Sequence, residues 1–303
     1  MAVIPFNKDF PYEAGEVVTL TPHIRRLTCP NPSSFTFHGT NTYILGHGKV
    51  GIVDPGPAEQ VHIDRLREVL AEKGETVSHI IVTHTHRDHS PGVALMKEWT
   101  DAPTYGYGPH GVGARRNWPF AGPEGGDTSF DPDVRLADGE ILKGDDWTLE
   151  AIFTPGHISN HLCYAVSEDN VILTGDHLMG WSTSIVSPPD GDMSHYMASL
   201  RKMLARPEHT YYPGHGGPIT DPKAFVESFI EHRGEREQQI IDCLAHHPQH
   251  IPEMVKEIYI NTPEHLHKAA GRSVLSHLLH MVEEGRVVSP DDPPGPDSLY
   301  RLP

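Results

Sequence analysis

The densest set of potential metal ligands in the sequence is the run THTHRDH at residues 83–89. It follows the apolar segment SHIIV and holds three histidines and one aspartate within six positions, namely His84, His86, Asp88 and His89. His84 and His86 are two residues apart and can point the same way before the chain turns, which leaves Asp88 and His89 to reach a second ion. Imidazole and carboxylate groups together suit zinc, manganese or iron. The run therefore predicts a metal centre.

Three further residues of ligand type follow segments that have the composition of strands. Each comes after a turn of small residues, and they are His157 in TPGH, Asp176 in LTGD and His215 in YPGH. Glycine lets the backbone turn tightly, so that the next side chain can point back over the edge of a sheet. The four ligands of the run do not complete two hydrolytic sites, and these three residues supply the missing ligands. The sequence therefore predicts two divalent metal ions, with zinc favoured and manganese or iron as alternatives.

Hydrolysis is the reaction that such a centre favours. Water that bridges two ions has its pKa lowered toward neutrality and attacks as hydroxide, while the ions polarise the scissile carbonyl or phosphoryl oxygen. Asp88 or Asp176 is also predicted to orient this water. The sequence has no GxSxG motif that would indicate a serine nucleophile. His161, four residues past His157, is predicted to contact a phosphate or to protonate the leaving group, with a supporting or surface role as the alternative.

Strands and helices must position these residues. The first two-thirds of the chain reads as short apolar strands between Gly, Pro and Asn turns, with a few helices, and this order implies central sheets with helices outside. The Gly-, Pro- and Asp-rich residues 106–133 predict a long surface loop beside the site. After Pro222, three helical segments and the strand-like RVVS predict a small winged-helix-type domain, and the tail DDPPGPDSLYRLP predicts a loosely ordered terminus. The predicted domains are residues 1–222 and 223–303.

Composition and charge limit the class of protein. The chain has 303 residues, of which 37% are hydrophobic and 21% charged, as in a globular protein that buries a sizeable core. It has no apolar run of the about 20 residues that a membrane span requires, and its N-terminus does not read as a signal peptide. Three scattered cysteines give no disulfide framework, so we expect a cytoplasmic protein with no membrane partner. The net charge of −17 argues against a general nucleic-acid binder.

The predicted ligands match the pattern of a known family. His84, His86, Asp88 and His89 resemble the HxHxDH motif of the metallo-β-lactamase superfamily, and His157, Asp176 and His215 resemble its later ligands. The resemblance covers residues 15–220 and implies an α/β (α+β) fold, an αββα sandwich with the metals at one edge of the two sheets. It also implies that one metal is held by His84, His86 and His157 and the other by Asp88, His89 and His215, with Asp176 bridging them. An aspartate in the second site, rather than a cysteine, is typical of the hydrolase and nuclease branches.

Segments in both predicted domains resemble the β-lactamase-like protein 2 family more closely. They are Asn31-Pro32, FHGTNTYILG, GDHLMG, YYPGHG, HRGEREQQI and NTPEHLH. This resemblance implies a winged-helix-like C-terminal domain and endoribonuclease activity on single-stranded RNA. For that activity Arg87, Arg115 and Arg116 are candidate contacts to phosphate, although residues 225–303 hold more acidic than basic residues.

Two other functions remain open at this point. The ligand set looks the same as that of glyoxalase II, so the alternative is a thioester hydrolase with a small thioester as substrate. A DNA-binding regulatory protein is a third hypothesis, because winged helices often bind DNA. However, the segment HLHKAAGRSVLSHLLHMVEEG has only Lys268 and Arg272 as full cations, so duplex DNA is not the expected partner. Docking or the formation of a homo-oligomer is the favoured role for this segment.

Overall fold

Two β-sheets pack face to face with helices on both outer surfaces, and a helical domain follows them along the chain. The computed structural model describes residues 3–13, 15–115, 118–120 and 125–303. Arg116, one of the predicted phosphate contacts, lies outside the described residues. The order of the layers is αββα, which confirms the predicted fold class.

The first sheet has seven strands whose order in the sheet is their order in the chain. Strands β1 to β4 pair antiparallel, and strands β4 to β7 pair parallel. The strands are β1 Val17–Thr19, β2 Ile24–Thr28, β3 Asn41–Leu45, β4 Lys49–Val53, β5 Thr76–Ile81, β6 Thr104–Gly106 and β7 Val134–Arg135. Because β4 and β5 are parallel, their C-terminal ends meet at one edge of the sheet, where the THTHRDH run begins.

The second sheet has five strands in the order β12-β11-β10-β9-β8. Its strands are β8 Ile141–Lys143, β9 Thr148–Phe153, β10 Leu162–Val166, β11 Val171–Gly175 and β12 Thr210–Pro213. Only the pair β11 and β12 is parallel, and the other neighbours are antiparallel. The parallel pair places Asp176 and His215, which follow these two strands, at the same edge.

Alternating side chains build the core on both faces of each sheet. In β3, Tyr43 and Leu45 pack between the sheets, whereas Ile44 packs against the outer helices. Successive residues of a strand point to opposite faces, so an uninterrupted apolar strand can be buried on both sides. Tyr164 of β10 is fully buried in the layer between the sheets and donates its hydroxyl to the carbonyl oxygen of Val82 at 2.8 Å. This bond joins the second sheet to the end of the strand that leads into the THTHRDH run.

Four helices cover the outer faces of the sandwich. Helix α1 (Gln60–Glu72) and the short α2 (Gly92–Met96) pack on the first sheet. Helix α3 (Met193–Leu204) and the first part of α4 (Pro222–Leu244) pack on the second. The side chains of Asp192 and Asp221 cap α3 and α4 by accepting from backbone amides of the first turn, which fixes where these helices begin.

The C-terminal domain is a separate helical cluster. It contains α5 (Ile251–Ile258), a short 3₁₀ helix (Glu264–Leu266), α6 (His267–Glu283) and the strand pair β13 (Gln249–His250) and β14 (Leu299–Tyr300). The prediction of a loosely ordered tail was wrong. Tyr300 is fully buried in the domain core and pairs with Gln249, and its hydroxyl donates to Gly295. The segment RVVS forms only an isolated bridge between Val288 and Arg301.

Helix α4 belongs to the cores of both domains. Phe225 and Phe229 pack with the second sheet, whereas Ile240 and Leu244 pack with the C-terminal helices. A boundary at residues 222 and 223 stays a prediction, because one continuous helix connects the two cores. Within the described residues, none of the helices is both long enough and apolar enough to cross a membrane.

Candidate metal centre

At one edge of the sandwich, two groups of side chains place ligand atoms close enough together to hold a metal ion. The groups are His84, His86, His157 and Asp176, and Asp88, His89, Asp176 and His215. Within each group the ligand atoms all lie within 4.8 Å of one another. Asp176 is in both groups, so one carboxylate can contact two ions, as the resemblance implies.

All of these side chains come from loops at one edge of the sandwich. The THTHRDH run follows β5, His157 follows β9, Asp176 follows β11 and His215 follows β12. Gly156, before His157, has a φ of +136°, and a β-carbon there would lie 2.4 Å from the backbone nitrogen of Tyr196. Only glycine fits this turn, which is the role predicted for the small residues before the ligands.

The imidazole rings converge on shared points. In the first group, Nδ1 of His86 lies 3.0 Å from Nε2 of His84 and 2.9 Å from Nε2 of His157. In the second group, Nε2 of His215 lies 3.2 Å from Nε2 of His89 and 3.1 Å from the Asp88 carboxylate. Ring nitrogens that converge with carboxylates in this way suit a common cation.

In three of the ligand histidines, the ring nitrogen that points away from the centre has a partner in the protein. Nδ1 of His157 donates to the carbonyl oxygen of Ile185 at 2.5 Å, and Nδ1 of His215 donates to that of Gly39 at 3.1 Å. Nδ1 of His89 donates to the buried carboxylate of Asp54 at 2.9 Å. Such partners fix the tautomer, so that Nε2 is left with its lone pair toward the ion.

Asp54 is a residue of the site that sequence reasoning missed. The segment Asp54-Pro55-Gly56 reads as a turn, yet the Asp54 side chain is buried and also accepts from the amide and hydroxyl of Thr83 at 2.7 Å each. It therefore supports both His89 and the start of the THTHRDH run. The available signal was an acid at the end of an apolar strand, the same pattern that indicated Asp176.

The chemistry of the donor set fits two cations. Oδ1 of Asp176 is buried and accepts no hydrogen bond within the protein, so it keeps lone pairs for a ligand. In the metal-free chain, burial lowers the pKa of His86 to about 3. Burial also lowers the pKa of His215, but the nearby carboxylates of Asp176 and Asp88 outweigh it and raise that pKa to about 10. A bound dication takes the place of the proton that these carboxylates otherwise hold on His215.

Comparison with known proteins decides the family. Residues 35–215, which include every predicted ligand, match the family described as the metallo-beta-lactamase superfamily. The chain belongs to the metallo-β-lactamase superfamily. Residues 251–295 match the beta-lactamase associated winged helix domain, which confirms the predicted type of the C-terminal domain. The protein is therefore a superfamily hydrolase with histidine and aspartate clusters that could bind metals.

The similarity of this metallo-β-lactamase superfamily member to known proteins extends over both domains. The chain is 32% identical to the beta-lactamase-like protein 2 homolog of Drosophila melanogaster, over 89% of this chain and 91% of that protein. It is 31% identical to an atrochrysone carboxyl ACP thioesterase of Claviceps purpurea, over 82% of this chain and 75% of that protein. A solved beta-lactamase domain protein from Burkholderia ambifaria has the same fold, with a TM-score of 0.80 at 20% identity over 97% of this chain and 96% of that chain.

His161 does not have the access to substrate that its predicted catalytic role requires. Its side chain is fully buried, and Nε2 accepts from the backbone amide of Asp176 at 3.1 Å. Nδ1 lies 2.9 Å from the hydroxyl of Thr154, so both ring nitrogens are engaged. His161 therefore orients the Asp176 segment from behind. This is the supporting role that the sequence left open as the alternative.

The arginines predicted to contact phosphate have different surroundings. Arg87 is exposed beside the ligands and donates Nε to the carbonyl oxygen of Gly126 at 3.4 Å. Arg115 instead donates to both carboxylate oxygens of Glu283 at 2.5 Å and lies 3.2 Å from Asp192. The predicted role of Arg115 is therefore not supported, because its guanidinium binds protein carboxylates.

Proposed function

We propose that this protein is a two-metal hydrolase whose substrate is an acyl thioester. The observation that carries the proposal is the pair of ligand groups that share Asp176. Bound there, two divalent ions would supply a hydroxide at neutral pH and polarise the thioester carbonyl. We propose zinc as the metal, because imidazole and carboxylate ligands suit it, and manganese or iron are the alternatives because the set contains no thiolate.

The chain's own residues have separate tasks in this proposal. One ion would be held by His84, His86 and His157, and the other by Asp88, His89 and His215, with Asp176 contacting both. The Asp88 side chain is 28% exposed and that of Asp176 is 9% exposed, so Asp88 lies on the more open side of the centre. Asp88 would orient the attacking water, and Asp176 would hold the two ions together.

The net charge and the similarity to a named thioesterase favour a thioester substrate over a polyanionic one. A relative of 31% identity is named a thioesterase of an acyl carrier protein. The chain has a net charge of −17, and Arg115, one of three arginines available in principle for phosphate, is held by two carboxylates. A thioester carbonyl needs no cluster of basic side chains for recognition, whereas RNA binding depends on one.

Single-stranded RNA is the second candidate substrate. It is favoured by the 32% identity to a beta-lactamase-like protein 2 homolog, whose family resemblance implies endoribonuclease activity. The exposed Arg87 next to the ligand run is the side chain best placed to contact a phosphate. In this case the same centre would act on a phosphodiester.

One substrate panel tests the proposal. Protein loaded with zinc or manganese is offered S-lactoylglutathione, acetyl and benzoyl thioesters, single-stranded RNA and duplex DNA. We expect release of free thiol, with loss of at least about 100-fold in kcat in His86→Ala and Asp176→Ala. His47→Ala is the matched control, because His47 is an exposed histidine paired with Asp146. Cleavage of RNA without thioester turnover would reverse the two candidates, and no turnover of any substrate would contradict the hydrolase proposal.

A further inference from the structure

A loop beside the metal ligands is hydrogen-bonded at both ends to the THTHRDH run. We use the name active-site loop for residues 107–115, 118–120 and 125–127. Near its end, the amide of Asp127 donates to the carbonyl oxygen of Thr85 at 2.7 Å, and Gly125 accepts from the amide of Arg87 at 3.0 Å. Near its start, His110 lies 3.1 Å from the hydroxyl of Thr85. The loop therefore adds backbone pairing to the very segment that carries four of the predicted ligands.

The middle of this loop contacts the C-terminal domain. Arg115 donates from one nitrogen to both carboxylate oxygens of Glu283, the last residue of α6, at 2.5 Å. The rings of Trp118 and Phe120 pack against the core of the C-terminal domain. Phe120 lies 3.5 Å from where a β-carbon on Gly295 would be. Charged and apolar contacts thus attach the loop to a second domain.

The same arginine reaches a second part of the site. Nε of Arg115 lies 3.2 Å from the carboxylate of Asp192, the N-cap of α3. The amide of Asp192 donates to the carbonyl oxygen of Gly156 at 2.9 Å, directly before His157. Ser194, in the first turn of α3, donates its hydroxyl to Glu283 at 2.8 Å. Glu283 therefore connects α6 to both loops that flank the first ligand group.

We propose that the C-terminal domain holds the active-site loop in place against the THTHRDH run, and that Arg115 and Glu283 transmit this effect. In this role the winged helix is an internal support for the site rather than a reader of nucleic acid. A charge-assisted contact between partly buried groups restricts the loop more than an exposed ion pair does, because less water competes with it. Arg115 and Glu283 would act as positioning residues, because they bind each other and neither belongs to a metal-ligand group.

Hydrogen exchange in the full chain tests this role without a substrate. In Arg115→Met and in Glu283→Gln, we expect the amides of Arg87 and Asp127 to exchange about fivefold faster, the change that follows from losing about 1 kcal/mol of local stability. The effect in the double variant should be smaller than the sum of the two single effects, because both changes remove the contact between Arg115 and Glu283. Arg135→Met is the matched control, since Arg135 forms an exposed ion pair with Asp131 away from the loop.

Two results would overturn the proposal. One is unchanged exchange at Arg87 and Asp127 in both variants, with faster exchange confined to α6, which would mean that the contact supports only the C-terminal domain. The other is an additive effect in the double variant. On any substrate that the panel identifies, we also expect KM to rise with kcat retained in both variants, and a fall in kcat alone would count against positioning. If the panel identifies no substrate, the exchange result still decides the proposal.

Discussion

Asp54 sets the orientation of one predicted ligand from behind. Its carboxylate accepts from Nδ1 of His89 and from the amide and hydroxyl of Thr83, and all three contacts are buried. A carboxylate behind a metal-binding imidazole fixes its tautomer and increases its basicity. Asp54 also has a φ of +51°, a conformation that asparagine and aspartate adopt more readily than other residues with a side chain. Replacement by asparagine therefore changes the hydrogen bonding and leaves the backbone in place.

We predict that Asp54→Asn lowers the affinity for the second metal by about 10- to 100-fold, because an amide nitrogen cannot accept the His89 proton. Titration of the metal-free protein by calorimetry measures the change. Asp146→Asn is the control, since Asp146 accepts from His47 in a similar pair at the surface. Equal metal affinity in Asp54→Asn and the wild type would show that Asp54 does not support the ligand.

At this scale the sequence predicted the ligand atoms better than their supports. The convergent residues are histidines and aspartates that follow strands, either in the dense THTHRDH run or after a glycine turn, so their type and spacing identify them. The role of His161 could not be predicted, because it depends on the burial of the ring and on the amide of Asp176. Nothing in the spacing of His157 and His161 distinguishes a residue that faces substrate from one that lies behind a ligand.

The turns between strands and ligands are the elements that build the centre. Gly156 has a φ of +136°, and a β-carbon there would lie 2.3 Å from Cα of Tyr196 in α3. The loop that holds His157 is thus packed directly against a helix backbone. Neither the helix backbone nor the turn can move away without displacing the ligand.

We predict that Gly156→Ala removes metal from the first ligand group and lowers the melting temperature, because backbone atoms of α3 block the new methyl group. Gly74→Ala is the control: Gly74 has a φ of +68° with no atom within 4 Å, so it isolates the cost of the backbone conformation, about 1 kcal/mol. Metal content and thermal unfolding measure both variants. A metal content in Gly156→Ala equal to that in Gly74→Ala would contradict the prediction.

A charged network joins α4 to α6 within the C-terminal domain. Glu237 of α4 accepts from His280 at 2.8 Å and from Arg286 at 2.6 Å, and lies 3.4 Å from His277. Burial raises the pKa of Glu237, but the hydrogen bonds from His277 and His280 outweigh it and lower that pKa to about 2. Glu237, His280 and Glu284 could also hold a cation by their spacing, yet Arg286 already forms ion pairs with both carboxylates.

We predict that Glu237→Gln destabilises the protein by about 3 kcal/mol at pH 7, because His280 and Arg286 lose a buried partner. A carboxylate with a lowered folded pKa stabilises above its unfolded pKa, which is 4.5, and this stability is lost as the pH falls toward about 2. The difference in unfolding free energy between the wild type and Glu237→Gln should therefore decrease by about 1.4 kcal/mol per pH unit below pH 4.5. Denaturant unfolding from pH 7 to pH 3.5 measures it.

The control for this network is Glu72→Gln, because Glu72 forms an exposed ion pair with Arg65. That variant should change stability by less than about 0.5 kcal/mol at every pH. A constant difference between Glu237→Gln and the wild type from pH 7 to pH 3.5 would contradict the assignment.

Elements with strong periodicity were predicted well, and the terminal ones less so. The longer strands of both sheets and the long helices coincide with apolar segments of the sequence, whereas the short strands β6, β7 and β8 were not predicted. The tail was predicted to be loosely ordered because it is rich in Pro and Asp. Burial of Tyr300 against the C-terminal helices stabilises its pairing with β13, and a local composition cannot reveal such a tertiary contact.

The two domains have different tasks in the proposed function. The sandwich supplies the ligands at one edge, and the C-terminal domain packs on α4 and contacts the active-site loop. The whole chain has a net charge of −17, which disfavours the binding of polyanions. The metal ions that the centre would bind would then be the main local positive charge. This balance favours a substrate recognised by its carbonyl.

Metal content is the measurement that tests the central claim, a two-metal centre that shares Asp176. The protein is loaded with zinc or manganese and freed of excess metal by gel filtration. Its metal content is then measured by inductively coupled plasma mass spectrometry. We predict about two equivalents per chain in the wild type and fewer in Asp176→Asn, since loss of a shared carboxylate weakens both sites. About one equivalent or less in the wild type, or an unchanged content in Asp176→Asn, would contradict the shared centre.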